Sequence, residues 1–112
     1  MSGRVYRVTM FKIPEPEGQQ ELIEAYKVLA QDQKKNGNPY ILSMTTGRVF
    51  DEHRSQGWTV VNESEFASVD DMRYYDDNCE AHAALKAKAK TFGIVGGPSG
   101  ILTVYFEAGA TL

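Results

Sequence analysis

Residues Val5 to Ile13 alternate, with Tyr6, Val8 and Met10 on one side and Val5, Arg7, Thr9 and Phe11 on the other. A period of two, built from β-branched and aromatic residues, predicts a strand, and Pro14 and Pro16 end it. From Glu17 to Lys35 the period changes. Leu22, Ala25, Tyr26, Leu29 and Ala30 recur at helical spacing, with acids early and Lys34-Lys35 late, as the helix dipole favours. Asn36-Gly37 is expected to stop this helix in the left-handed region, and Pro39 blocks its continuation. Tyr40 to Phe50 predicts a second strand, with Gly47 marking a bulge or a close backbone approach. The polar run Asp51 to Gly57 predicts a surface connection into a third strand, Trp58 to Phe66.

Ser68 followed three residues later by Asp71 resembles a capping box and opens a short helix through Met72, Tyr74 and Tyr75. Glu80 to Phe92 predicts another helix, with Ala81, Ala84, Leu85 and Ala89 as its apolar stripe and Lys86 and Lys90 on the wet side. Gly93 ends it. The glycine-rich segment Gly93 to Gly100 leads into a last strand, Ile101 to Glu107, and a loose tail. That segment lacks the Gly-Lys-Ser/Thr ending of a phosphate loop and precedes a strand, so it is expected to act as a mobile connection or lid.

Strand, helix, strand, strand, helix, strand is the α+β order of a ferredoxin-like unit, a four-stranded antiparallel sheet with its helices on one face. Trp58, Val60, Ile101, Leu102 and Tyr105 place bulky groups on both sides of their strands, so the uncovered face needs a partner. A second copy of the same sheet is the economical cover, which predicts a homodimer through the sheet faces that closes into an α/β barrel.

Composition narrows the function classes. The 112 residues carry 12 basic and 15 acidic side chains, a net charge of −3, which fits one domain over 1–112. The densest basic stretch is Lys86, Lys88 and Lys90, too sparse for phosphate-driven nucleic-acid binding. No apolar run approaches the ~20 residues of a membrane span. Met1-Ser2-Gly3-Arg4 leads into a segment containing Arg7 and Lys12, unlike a secretory signal. The lone Cys79 rules out an internal disulfide and suits a reducing compartment, so a cytoplasmic location is expected.

The element order, with Arg7-Val8-Thr9-Met10-Phe11-Lys12-Ile13, Gly47-Arg48, Gly57-Trp58, Phe66, and Tyr75 followed by Ala81-His82, resembles the stress-responsive dimeric α/β barrel (Dabb) family from Val5 to Glu107. The resemblance implies a ferredoxin-like protomer paired sheet to sheet, with a cavity for a small apolar or aromatic molecule. Some members are cofactor-independent polyketide cyclases. By that likeness His82 is the base of a cofactor-free cyclisation or isomerisation, and Tyr75 positions the carbonyl once one extra residue is allowed between the two. Arg7 stands where the family often has a histidine, and Cys79-Glu80-Ala81-His82 stands for its His-Pro-x-His stretch. The alternative is a non-enzymatic, stress-linked structural or interaction dimer.

Each candidate has two readings from its own chemistry. His82 can take a proton from carbon or oxygen and return it, or be held by a backbone group or tyrosine at the start of its helix. Tyr74 and Tyr75 point about 100° apart on a helix, so a single hydroxyl of the pair is expected to face a ligand. Arg7 either binds an acidic ligand group or lies in a salt bridge, since a buried unpaired guanidinium is costly. Trp58, with Tyr6, Met10, Met44 and Phe106, offers apolar surface to a pocket or an interface. Cys79 has no partner base in sequence, and His53 and His82 have no metal-ligand spacing.

Overall fold

The alternation at the N-terminus folds as read: β1 (Val5–Phe11) buries Val5, Arg7, Thr9 and Phe11 and leaves Tyr6, Val8 and Met10 on its other side. The structure is a computed structural model that describes residues 3–112. Met1 and Ser2, the first two residues of the opening read as unlike a secretory signal, lie outside the described residues. After β1 come α1 (Pro16–Asp32), β2 (Ile41–Arg48), β3 (Val60–Phe66), α2 (Val69–Asp77), α3 (Glu80–Ala89) and β4 (Ile101–Phe106). Short 3-10 turns at His53–Ser55 and Gly97–Gly100 join them. The sheet order is β2-β3-β1-β4, antiparallel at every pairing, with the helices on one face: a ferredoxin-like fold. Among the described residues, no helix is long and apolar enough to cross a membrane.

Several details differ from the sequence reading, among them the end of α3, which falls at Ala89 and not Phe92. α1 ends at Asp32, not Lys35, because the Gln33 side-chain carbonyl accepts from Tyr40 and Ile41 backbone N–H groups and draws the chain into an extended path. Asn36 and Gly37, both at positive φ, then form a tight reversal in which Lys35 and Asn38 exchange backbone hydrogen bonds, the hairpin use of Asn-Gly in place of a helix stop. In β2 the irregularity falls between Ile41 and Ser43, whereas Gly47 pairs regularly with Val61. The expected cap is present: Ser68 Oγ accepts from Asp71 N–H at 3.1 Å.

Packing beneath the helices is apolar at the ends of the central strands and polar between. Val5 pairs with Phe66 and Phe11 with Val60, while Arg7 faces Ser64 and Thr9 faces Asn62. All eight are buried. Leu22, Tyr26 and Leu29 of α1 and Met72 and Tyr75 of α2 cover the apolar ends. Ala30 and Ala84, expected in the apolar stripes, are exposed, and His82 joins Leu85 and Ala89 on the buried side of α3.

The segment after α3 is tied down. Val95 N–H donates to Lys12 O and Lys12 N–H donates to Gly100 O, each at 2.9 Å. A Cβ on Gly100 would sit 1.9 Å from Val95 O, so the backbones approach too closely for any side chain. Both ends of the segment are thus fixed to Lys12, with Gly96 to Ser99 exposed between them.

On the far face, Tyr6 stacks on its β4 neighbour Phe106, with centroids 5.4 Å apart. Val8 and Met10 continue that face into Leu102 and Val104, which are 46% and 50% exposed. Every residue of β4 is exposed in the protomer.

Candidate functional site

The chain turns sharply between α2 and α3, and that turn builds the site. Asn78 and Cys79 both donate backbone N–H groups to Tyr74 O, which brings the first turn of α3 against the last turn of α2. His82 then lies on Tyr75: the rings stack with centroids 3.8 Å apart and planes 11° from parallel, and His82 Nδ1 is 2.8 Å from Tyr75 O. A carbonyl only accepts, so Nδ1 carries the proton and Nε2 keeps a bare lone pair. Nε2 has no hydrogen-bond partner among the described residues and is not one of the sealed, unpaired polar atoms of the interior.

His82 lines a cavity of about 270 Å³ between α3 and the β1–β4 edge of the sheet. Phe11, Tyr26, Leu85, Ala89, Ile94 and Ile101 give it apolar walls. Arg7, Thr9, Thr103, Asp76, Lys86 and Lys90 supply the polar groups. Burial pushes the His82 imidazole well below its usual value, to about 4; the Tyr75 carbonyl and Asp76 work against this, and Arg7 and Lys86 add to it. The ring is therefore neutral at neutral pH.

Arg7 takes the salt-bridge reading while also lining the cavity. It is 6% exposed, its Nη2 donates to Asp76 Oδ1 at 2.8 Å, and its Nη1 donates to Thr9 Oγ1 at 2.8 Å. The guanidinium also lies 5.0 Å from the Tyr75 ring centroid. Thr9 and Thr103 hydroxyls are 3.1 Å apart across the β1–β4 ladder, extending the polar strip along the wall. A buried guanidinium needs such partners.

The other expected site residues lie elsewhere. Tyr75 is fully buried under His82, and its hydroxyl has no hydrogen-bond partner and does not reach the cavity wall. Tyr74 points the other way: its hydroxyl donates to Lys34 O at 3.3 Å and its ring packs edge-on against Tyr40. Trp58 sits under Lys12, whose Nζ is 4.7 Å from the indole centroid, outside the cavity. Of the five expected residues, His82, Arg7 and Tyr75 are brought together, and the first two line the cavity. Asp76, Thr9, Thr103, Lys86 and Lys90 were not singled out as site residues. The Thr9 side shared with Arg7 and the helical spacing of Lys86 and Lys90 relative to His82 were the available signals.

A broader groove between α1 and α3 has Glu17, Glu21 and Glu24 at its rim and no imidazole. Among the described residues, no three His, Cys, Asp or Glu side chains converge as metal ligands.

The chain is 44% identical over 111 residues to a fusaristatin A biosynthesis cluster protein of Gibberella zeae, covering 99% of this chain and 78% of the relative. A dimeric ferredoxin-like protein of unknown function from Jannaschia sp. superposes with a TM-score of 0.74 at 19% identity, covering 95% of this chain and all of the other. A hydroxynitrile lyase from Passiflora edulis superposes with a TM-score of 0.76 at 15% identity, covering all of this chain and 99% of the other. The family model described as the stress responsive A/B barrel domain matches residues 5–93, from β1 through the end of α3, and the chain belongs to that family.

Proposed function

We propose that the protein is a homodimer whose protomers each bind a small apolar or aromatic molecule, and that His82 moves a proton to and from it in a cofactor-independent lyase, cyclase or isomerase reaction. The carrying observation is the imidazole itself: Nδ1 is anchored on the Tyr75 carbonyl, Nε2 is left bare, and the residue lines a cavity with apolar walls and a few charged groups. That arrangement holds one tautomer and one ring orientation, as a general base requires. A biosynthesis-cluster relative and a lyase of the same fold support the reading.

The electrostatics favour a substrate with an acidic proton. When Nε2 takes a proton, the C–H or O–H electron pair stays on the substrate as an enolate or alkoxide while an imidazolium forms. Burial, Arg7 and Lys86 all oppose a lone imidazolium here. The ion pair forms readily only if the substrate anion appears beside these cations, so the abstracted proton has to be acidic, as in a 1,3-dicarbonyl, a phenolic ketone or a cyanohydrin.

The open sheet face supports the dimer. The face formed by Tyr6, Met10, Leu102, Val104 and Phe106 is contiguous and apolar, and such a surface calls for a partner. The Jannaschia protein of this fold is described as dimeric.

Proton abstraction is read without knowing the product. In heavy water, wild-type protein should exchange the acidic hydrogen of small 1,3-diketones and phenolic ketones, and His82→Ala should slow this by about 10²–10⁴-fold while remaining folded. Equal exchange by the two proteins would overturn the base assignment.

A further inference from the structure

We propose that the cavity takes a small organic carboxylate, with a one-ring or short branched apolar body against Leu85, Ala89 and Ile94 and its ionised group held by Lys86 and Lys90. The inference rests on the reading of this cavity as the ligand site and specifies the class of molecule that fills it.

Charge balance carries the argument. Three cations, Arg7, Lys86 and Lys90, line the cavity against a single carboxylate, Asp76. Asp76 is already taken: its Oδ1 accepts from Arg7 at 2.8 Å. Among the described residues no ion pair involves Lys86 or Lys90. These two lysines are one helical turn apart, where like charges repel. Lys86 Nζ donates to the Asp76 backbone carbonyl at 3.1 Å, which holds the ammonium where α2 ends and the cavity begins.

Stabilisation of the helix C-terminus, which Lys86 and Lys88 both supply, does not explain why Lys86 and Lys90 share one cavity. The dipole favours any cation in the last turn, and Lys88 meets that condition while lining the groove against α1. What distinguishes Lys86 and Lys90 is that both line the cavity that holds His82. A carboxylate between them would remove the repulsion and gain charge-assisted hydrogen bonds. The volume of about 270 Å³ lies below the ~300–1,000 Å³ of sites for drug-sized molecules, which restricts the body to one ring or a short branched chain.

The probes are benzoate and phenylacetate, each against its neutral amide, titrated calorimetrically into the intact protein with the His82 ring signals followed by NMR. The acids should bind about tenfold more tightly than the amides, the preference should shrink as salt rises, and the His82 signals should shift. The double variant Lys86→Gln, Lys90→Gln, which keeps similar helix propensity, should bind acid and amide alike. Equal affinity for acid and amide in wild type, preference retained in the double variant, or no shift at His82 would each overturn the inference. Binding is read without turnover, so lost proton exchange with the acid preference intact removes the base reading alone. Lost preference with exchange intact removes the carboxylate alone.

Discussion

His82 rests on Tyr75 twice over: its ring stacks on the phenol at 3.8 Å and its Nδ1 is bonded to the same residue's carbonyl at 2.8 Å. One residue thereby sets both the plane and the tautomer of the imidazole. The stack also keeps water from that side of the ring, which is why burial dominates its depressed proton affinity.

This burial makes stability depend on pH. His82 titrates near 4 folded and near 6.5 unfolded, so between those values the unfolded chain binds more protons. Its contribution is complete above about pH 6.5 and is lost as pH falls toward 4, up to roughly 3 kcal/mol. Chemical denaturation of wild type and His82→Gln at pH 7, 5.5 and 4.5 should show a steeper loss in wild type; parallel curves would show that the folded imidazole is not shielded.

Tyr75→Phe separates a packing role from a chemical one. The hydroxyl is sealed and unpaired, so removing it should leave stability unchanged or raise it by up to about 1 kcal/mol. Proton exchange at the substrate should persist within about twofold. A loss as large as that of His82→Ala would mean that the phenol reaches the substrate.

Asp76→Asn leaves the Arg7 guanidinium buried without its counter-charge. Because Asp76 is itself partly exposed, the expected cost is about 1–3 kcal/mol, below that of breaking a fully buried pair. The His82 proton affinity should fall further, since Asp76 favours the imidazolium. Urea denaturation and NMR titration of the ring read the two effects.

Val104→Lys places a charge in the open sheet face. If that face pairs with a second copy, light scattering should show the variant as a monomer at concentrations where wild type is a dimer, with dissociation about a hundredfold or more easier. An unchanged mass would locate the interface elsewhere.

Much of the fold was legible because alternation reports burial directly. Arg7 and Thr9 fell on the same side as Val5 and Phe11 in sequence, and they share one buried face in the structure. The Ser68 cap was equally local. Asn36-Gly37 misled because the dipeptide suits a helix end and a hairpin equally well, and Gln33, bonding to Tyr40 and Ile41, decides between them. At the site, His82 was found by its chemistry and Arg7 by its place on the first strand, where the resembled family often has a histidine. Tyr74 and Tyr75 were indistinguishable without knowing how α2 rolls on the sheet. Lys86 and Lys90 were read as wet, which they are, but the water they face includes the cavity mouth.

The fourth strand gives the cavity one wall through Ile101 and Thr103, yet it hydrogen-bonds within the sheet to β1 alone and keeps every residue exposed. Edge segments of this kind open at a lower free energy than the body of a domain. In the isolated protomer, ligand affinity would then be set partly by how often this wall peels away. A second sheet laid over its outer side would suppress that opening, coupling occupancy of the cavity to protein concentration.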